Sequence, residues 1–217
     1  MPLIVHHLQV SQSERIPWLC EELGIDYELI LYKRAPLLAP PEYKALHPMG
    51  AAPVIQDGDL TMAESCAVIE YICHKYADGK LFLQWPHPAY ADFLYWWHWV
   101  DGTFFSSIAR GVQARSGDVN PILAKINRFE SGLNMLDERL RDNEWLAGNE
   151  FTAADIMLVF ALTTFRYFYL YSLGDYPNVV KYLQRIGARE AYQKAMAKSD
   201  PGMELLLGHE PPKESLM

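Results

Sequence analysis

Serines beside helix starts are the polar groups in this chain best placed to do chemistry. Ser11 and Ser13 follow an apolar run, LIVHHL at 3–8, and lead into a segment with helical apolar spacing. Ser65 follows Glu64 at the head of a second such segment. A helix N-terminus offers free N–H groups and the positive end of a dipole, so a hydroxyl there suits an anion. The same residue types also serve as simple caps. Capping is therefore the other reading of Ser65 and Ser13, and a plain turn that of Ser11. Cys20, Cys66 and Cys73 lack CxxC or metal-ligand spacing. Cys20 falls on the apolar face of the first helix. Cys66 and Cys73, seven apart on a later helix, read as core in the same way. Pro53, after Ala52, stands at a strand start, where proline is tolerated.

The elements that must hold these groups are legible by periodicity. Residues 3–8 read as a strand and residues 13–23 as a helix, with Ile16, Leu19, Cys20 and Leu23 on one face and Gly24 as C-terminal cap. Residues 27–32 (YELILY) read as a second strand, which implies a right-handed parallel crossover. A proline-rich loop follows, with a short helix at 42–46. Residues 53–62 read as a hairpin turning at Asp57-Gly58. A helix over 64–76 completes the order β-α-β, loop, β-β-α. The domain expected at 1–78 is thioredoxin-like, residues 79–88 are a linker, and 89–217 form an all-helical domain. Its helices are expected near 89–114, 121–143, 153–171, 177–186 and 188–198, with an irregular tail. Thr152 and Asp155 have capping-box spacing.

Composition narrows the class. Half of the 217 residues are hydrophobic and 21% are charged, enough for a packed core. The formal net charge is −8, which opposes non-specific binding to nucleic acid or an anionic membrane. No apolar stretch reaches the roughly 20 residues a bilayer requires. The densest, 156–170, is broken by Thr163, Thr164 and Arg166. The first ten residues lack a signal peptide's basic and apolar regions, so a soluble cytoplasmic protein with free thiols is expected.

Four segments give the chain a resemblance to the glutathione transferase superfamily over nearly its full length. They are VHHLQVSQSERIPWLCEELGIDYEL at 5–29, HPMGAAPVIQDGDLTMAESCAVIEYI at 47–72, WLAGNEFTAADIML at 145–158 and YPNVVKYLQRIGAREAYQKA at 176–195. The version it resembles is the Ser-type group found in fungi and bacteria. The resemblance implies glutathione as co-substrate and no metal. Ser11 would stabilise the glutathione thiolate, since a free thiol, with a pKa near ~8.5, is mostly protonated at neutral pH. Ser13 competes for that role. Pro53 would follow a cis bond, and Ala52 would offer its backbone to the cysteinyl part. Glu64 and Ser65 would grip the γ-glutamyl end. Many relatives carry a basic residue two before the proline, where this chain has Ala51. His47 is then the nearest candidate for the glycyl carboxylate, ahead of Lys44, Lys33 and Arg34. The family's disulfide-exchange members place a cysteine where Ser11 or Ser13 stands, so such chemistry is disfavoured.

Aromatics crowd the helical part: Tyr90, Phe93, Tyr95, Trp96, Trp97, Trp99, Phe104 and Phe105, then Phe165, Tyr167, Phe168, Tyr169 and Tyr171. Most rings at helical spacing are core, yet these surround every face of 93–105, more than one buried stripe requires. In the family these helices wall an apolar co-substrate site, here represented by Trp97 and Tyr167. Asp101 would approach the partner subunit's glutathione or make an interhelical bond. The expected function is conjugation of glutathione to small apolar electrophiles, a detoxification chemistry, by a homodimer, with peroxide reduction as a second activity. The alternative is a non-catalytic glutathione- or hydrophobe-binding protein, a ligandin or regulatory module, because fold does not fix function.

Overall fold

The computed structural model describes residues 2–108 and 128–217. In chain order the elements are β1 (Leu3–Leu8), a 3-10 turn (Gln12–Glu14), α1 (Arg15–Leu23), β2 (Tyr27–Tyr32), α2 (Pro41–Lys44), β3 (Val54–Asp57), β4 (Leu60–Ala63) and α3 (Ser65–Ala77). Then come α4 (Tyr90–Trp99), a π-helical turn (Val100–Phe105), α5 (Arg128–Asp142), α6 (Ala153–Leu162), a 3-10 turn (Thr164–Tyr167), α7 (Pro177–Gly187) and α8 (Glu190–Ser199). They form two compact units. One comprises residues 1–82 and 186–205, with Met217. The other comprises 83–185 and 206–216.

The first unit is thioredoxin-like. Its sheet runs β2-β1-β3-β4, with β1 parallel to β2 and the other pairs antiparallel. Gly24 ends α1 at φ 66° and Gly58 turns the hairpin at φ 61°, conformations that favour glycine because a Cβ would clash. Val5 on β1, Ile16 and Leu19 on α1, and Val68, Ile69 and Ile72 on α3 are fully buried. Leu8, Tyr43 and Val54 form a separate buried cluster. The helix α8, far along the chain, packs on α1, where Trp18 meets Tyr192 edge-on at 4.9 Å. Central strand β1 is covered on both sides, which is why it carries no apolar–polar alternation.

The second unit is helical. Every residue of α6 is buried, so this helix has no polar face. Asp155 in its first turn accepts from the N–H groups of Thr152 (2.9 Å) and Leu146 (3.0 Å) and from the Tyr182 hydroxyl (3.1 Å). Burial pushes its carboxyl up to about 6 in spite of these donors. A helix continuing to 171 does not form. Instead the Thr163 hydroxyl takes the Val159 carbonyl at 2.8 Å. The fully buried Arg166 guanidinium collects the carbonyls of Leu162, Tyr171, Leu206, Gly208 and His209. Those bonds gather a helix end, a turn and the tail into one buried knot. The helix expected over 89–114 passes into a π-helical turn at Val100, and its end, like the start of that expected at 121–143, lies outside the described residues.

Candidate active site

The turn between β1 and α1 sets the position of Ser11. Val10 adopts φ 54°, a left-handed conformation that a β-branched residue rarely takes. It is held there from both sides. Its N–H donates to Asp200 Oδ1 at 2.8 Å, and Arg34 donates to its carbonyl at 2.7 Å and to that of Gln9 at 3.1 Å. Ser11 follows in extended conformation and its hydroxyl accepts from the Ser13 N–H at 3.2 Å, capping the 3-10 turn. The cap is thus Ser11 and not Ser13. Ser13 is wholly buried, with its oxygen accepting from the Leu8 N–H at 3.1 Å and lying 2.8 Å from Ser11 Oγ and 2.9 Å from His7 Nδ1.

Two side chains join this turn to distant parts of the first unit. Gln12 Nε2 donates to the Ala52 carbonyl at 2.7 Å, beside the cis Ala52–Pro53 bond. The Gln12 oxygen accepts from Arg15 at 3.2 Å, and the same Arg15 nitrogen donates to Ser65 Oγ at 3.0 Å. One hydrogen-bonded network therefore links the Ser11 turn, Ala52 and Ser65, which are far apart in sequence. Glu64, exposed at the head of α3, has φ 74° and ψ 118°, a strained backbone for a residue with a Cβ.

The anion partner left open by Ala51 has few candidates nearby. Ala51, Lys33 and Lys44 are exposed. Arg34 is engaged by the carbonyls of Gln9, Val10 and Leu37. His47, half-buried, accepts from the Met49 N–H at Nδ1 (3.3 Å), an arrangement in which a neutral ring carries its proton at Nε2. Cys20 and Cys73 supply no nucleophile of low pKa. Burial raises the Cys20 thiol far above its ordinary range and pushes Cys73 up to about 12. Cys66 differs from expectation, being half-exposed, because the first turn of α3 is less covered than its middle. Among the described residues no cluster suits a metal ion.

Four side chains in this network are not apparent from the motifs: His7, Gln12, Arg15 and Asp200. Gln12 and Arg15 have a weak signal, their three-residue spacing at a helix start. The His6-His7 pair inside an apolar strand is another. Asp200 has none.

In the second unit the rings mostly serve the core. Phe93, Trp96, Trp97, Trp99 and Phe104 are buried, and Trp97 stacks on Phe93 at 6.2 Å. Tyr95 is half exposed. Tyr167, half-buried, lies on the 3-10 turn after α6, where Phe165 meets Phe105, Phe160 and Tyr169. Asp101 is exposed on the π-helical turn.

Comparison with known proteins agrees with this architecture. Residues 11–75 match the family model of the glutathione S-transferase N-terminal domain, and residues 123–190 that of the C-terminal domain. Glutathione S-transferase 3 of Schizosaccharomyces pombe is 32% identical over 90% of this chain and 87% of its own. A glutathione S-transferase structure from Actinobacillus pleuropneumoniae superposes with TM-score 0.82 at 35% identity, covering 93% of this chain and 94% of that one. The theta-class enzyme of Xanthomonas axonopodis pv. citri, solved with glutathione bound, gives TM-score 0.65 at 28% identity, over 90% and 97% of the two chains. The chain belongs to the glutathione transferase family, and it is a transferase.

Proposed function

We propose that this enzyme binds glutathione on its thioredoxin-like unit and conjugates it to small apolar electrophiles, with Ser11 as donor to the thiolate. The observation that carries this reading is the Gln12–Arg15 network, which ties the Ser11 turn to Ala52 and Ser65. Ser65 and the N–H groups that open α3 suit the γ-glutamyl carboxylate, and the Glu64 carboxylate suits the γ-glutamyl ammonium. Arg15 orients the Ser65 hydroxyl and adds a positive charge beside it. Ala52 offers backbone groups to the cysteinyl part, and Pro53 fixes the chain beyond it. The Ala52 carbonyl retains a second lone pair despite Gln12. His47 Nε2–H serves the glycyl carboxylate in place of the cation that Ala51 lacks.

The electrophile belongs to the aromatic second unit. Tyr167, half-buried, is the better placed of the two candidate rings. Trp97 is packed against Phe93, an arrangement that favours a supporting role. Holding both reactants removes part of the entropic barrier. The same site accommodates peroxide reduction as a second activity. The protein is a cytoplasmic homodimer in this reading, acting in detoxification. No described helix is long and apolar enough to cross a membrane.

Two substitutions test the site. Ser65→Ala removes a hydrogen bond to a charged group, worth about 1.5–3 kcal/mol, so glutathione affinity should fall about tenfold to hundredfold by calorimetric titration. S-hexylglutathione should suffer equally, since it keeps the γ-glutamyl end. Ser11→Ala should instead lower kcat and raise the apparent pKa of the bound thiol, read from its ultraviolet thiolate band, with affinity nearly constant. Unchanged affinity in the first variant and an unchanged thiol pKa in the second would together refute the assignment.

A further inference from the structure

Behind Ser11 lies a continuous buried chain of hydrogen-bonding groups. Asp200 Oδ2 is 2.9 Å from His7 Nε2, His7 Nδ1 is 2.9 Å from Ser13 Oγ, and Ser13 Oγ is 2.8 Å from Ser11 Oγ. All four side chains are at least nine-tenths buried. The four belong to the first unit. An ionised carboxylate only accepts, and Asp200 already accepts the Val10 N–H on its other oxygen. His7 must therefore carry a proton at Nε2, which leaves Nδ1 in the neutral ring as a bare acceptor. The Ser13 proton then points to Nδ1 at 2.9 Å, the shorter of its two acceptors, the other being the Leu8 carbonyl at 3.3 Å. Ser13 Oγ, with the Leu8 N–H on one lone pair, has its other lone pair for the Ser11 proton. In that state the Ser11 proton points inward and cannot meet a thiolate.

We propose that His7, held by Asp200, takes up the proton of the glutathione thiol through the hydroxyls of Ser13 and Ser11, so that thiolate and imidazolium form together. The inference rests on the glutathione reading of the site. The S–H bond breaks and its proton goes to Ser11 Oγ. The original Ser11 proton passes to Ser13 Oγ, and the original Ser13 proton to His7 Nδ1. Each hydroxyl gains one proton and loses one, no electrons change hands, and net charge is conserved. The chain is now reversed. His7 Nδ1–H donates to Ser13, Ser13 donates to Ser11, and Ser11 donates outward to the sulfur anion. Imidazolium beside Asp200 is a buried ion pair with its hydrogen bonds made, the arrangement in which a buried charge is tolerated.

The geometry explains why two serines stand here. Ser11 alone could donate to a thiolate but would have nowhere to send a proton. Ser13, with no exposure of its own, bonds the Leu8 backbone and joins Ser11 to His7. The other charged groups on elements around His7 include Arg34 after β2, which bonds the Gln9 and Val10 carbonyls, Glu28 on β2, and Asp57 on β3, which pairs with Lys75. They also include Glu14, Arg15 and Glu22 on α1, and Arg189 and Glu190 at the head of α8, where Arg189 pairs with Glu22. The α8 residues Lys194 and Lys198 are on Glu21. In this scheme His7, Ser13 and Asp200 are positioning residues acting through Ser11.

The test follows the His7 ring nitrogens by NMR of protein labelled with 15N-histidine, with glutathione and with S-methylglutathione, which has no thiol proton. His7→Gln assigns the signal, and Ser13→Ala breaks the relay while sparing the imidazole. Glutathione should protonate His7 Nδ1 in the wild type and S-methylglutathione should not. In Ser13→Ala that protonation should vanish, and the bound thiol pKa should rise by about one unit, a roughly tenfold lower thiolate-to-thiol ratio at a given pH. Its kcat should fall with it, while affinity for S-methylglutathione stays within about twofold. If His7→Gln does not fold, the glutathione-dependent signal that Ser13→Ala abolishes makes the assignment. A His7 ring that stays unprotonated while the thiolate band is present would overturn the relay, as would a wild-type thiol titration in Ser13→Ala. Failure of both ligands to bind would overturn the glutathione reading instead.

Discussion

At the scale of single residues, the site holds backbone strain where a ligand would be met. Glu64 keeps φ 74° although it is exposed and its side chain is free to move to solvent. Such a conformation costs about 1–3 kcal/mol, and glycine relieves it at an entropic cost of roughly 1 kcal/mol. Glu64→Gly should therefore leave stability unchanged or raise it by about 1 kcal/mol in denaturant unfolding. Glutathione affinity should drop at least about tenfold, as expected for losing a bond to a charged group. A variant that loses stability as well would show that Glu64 holds the head of α3 rather than a ligand. Ser11, Ala52, Pro53, Glu64 and Ser65 were legible because each sits in a short stretch whose neighbours say what turn or helix start it occupies. Ser13 was legible as the rival of Ser11, but His7 and Asp200 were not. His7 bonds a carboxylate 193 positions away, and no local pattern encodes that pairing.

At the scale of elements, α8 is fastened to α1 by charge as well as by Trp18 and Tyr192. Glu21 receives Lys194 at 2.6 Å and Lys198 at 2.5 Å, and the Tyr27 hydroxyl at 2.9 Å. Burial raises the Glu21 carboxyl, and those hydrogen bonds with the Lys198 charge outweigh it, so it lies below the usual carboxylate value. A depressed folded pKa contributes stability above the unfolded value, near ~4.3, and that contribution is lost as pH falls through the folded one. Glu21→Gln should thus melt below the wild type at neutral pH. The gap should close as the solution is acidified, and also narrow in high salt because both lysines are about half exposed. A gap independent of pH would show that Gln disturbs packing rather than charge. The helix α1 was readable from period and Gly24, the hairpin from Gly58, and β1 from its short apolar run. The end of α6 was not, because a helix buried all round has no stripe to run out, and the Arg166 carbonyl knot that replaces the next turns is completed by Leu206, Gly208 and His209, residues 40 and more away.

At the scale of the molecule, the first unit is discontinuous: residues 83–185 are inserted between its sheet and its last helix. Residues 1–82 alone would expose the α1 surface that α8 covers. They would also leave Val10 without the carboxylate that pins its strained turn. A fragment ending at residue 82 should accordingly lack cooperative thermal unfolding and bind hydrophobic dye, and adding a peptide of residues 186–205 should restore a sharp transition. A fragment that melts cooperatively by itself would show that α8 is dispensable to the sheet. The arrangement has a consequence for biosynthesis. On a ribosome the sheet emerges well before Asp200, the carboxylate that closes its serine turn, has been made. At 5–20 residues per second, the 118 positions between residue 82 and Asp200 take roughly 6–24 seconds to translate. For that interval the nascent sheet carries an uncovered apolar flank, a natural target for a holding chaperone, and the serine turn gains its carboxylate only once Asp200 has emerged.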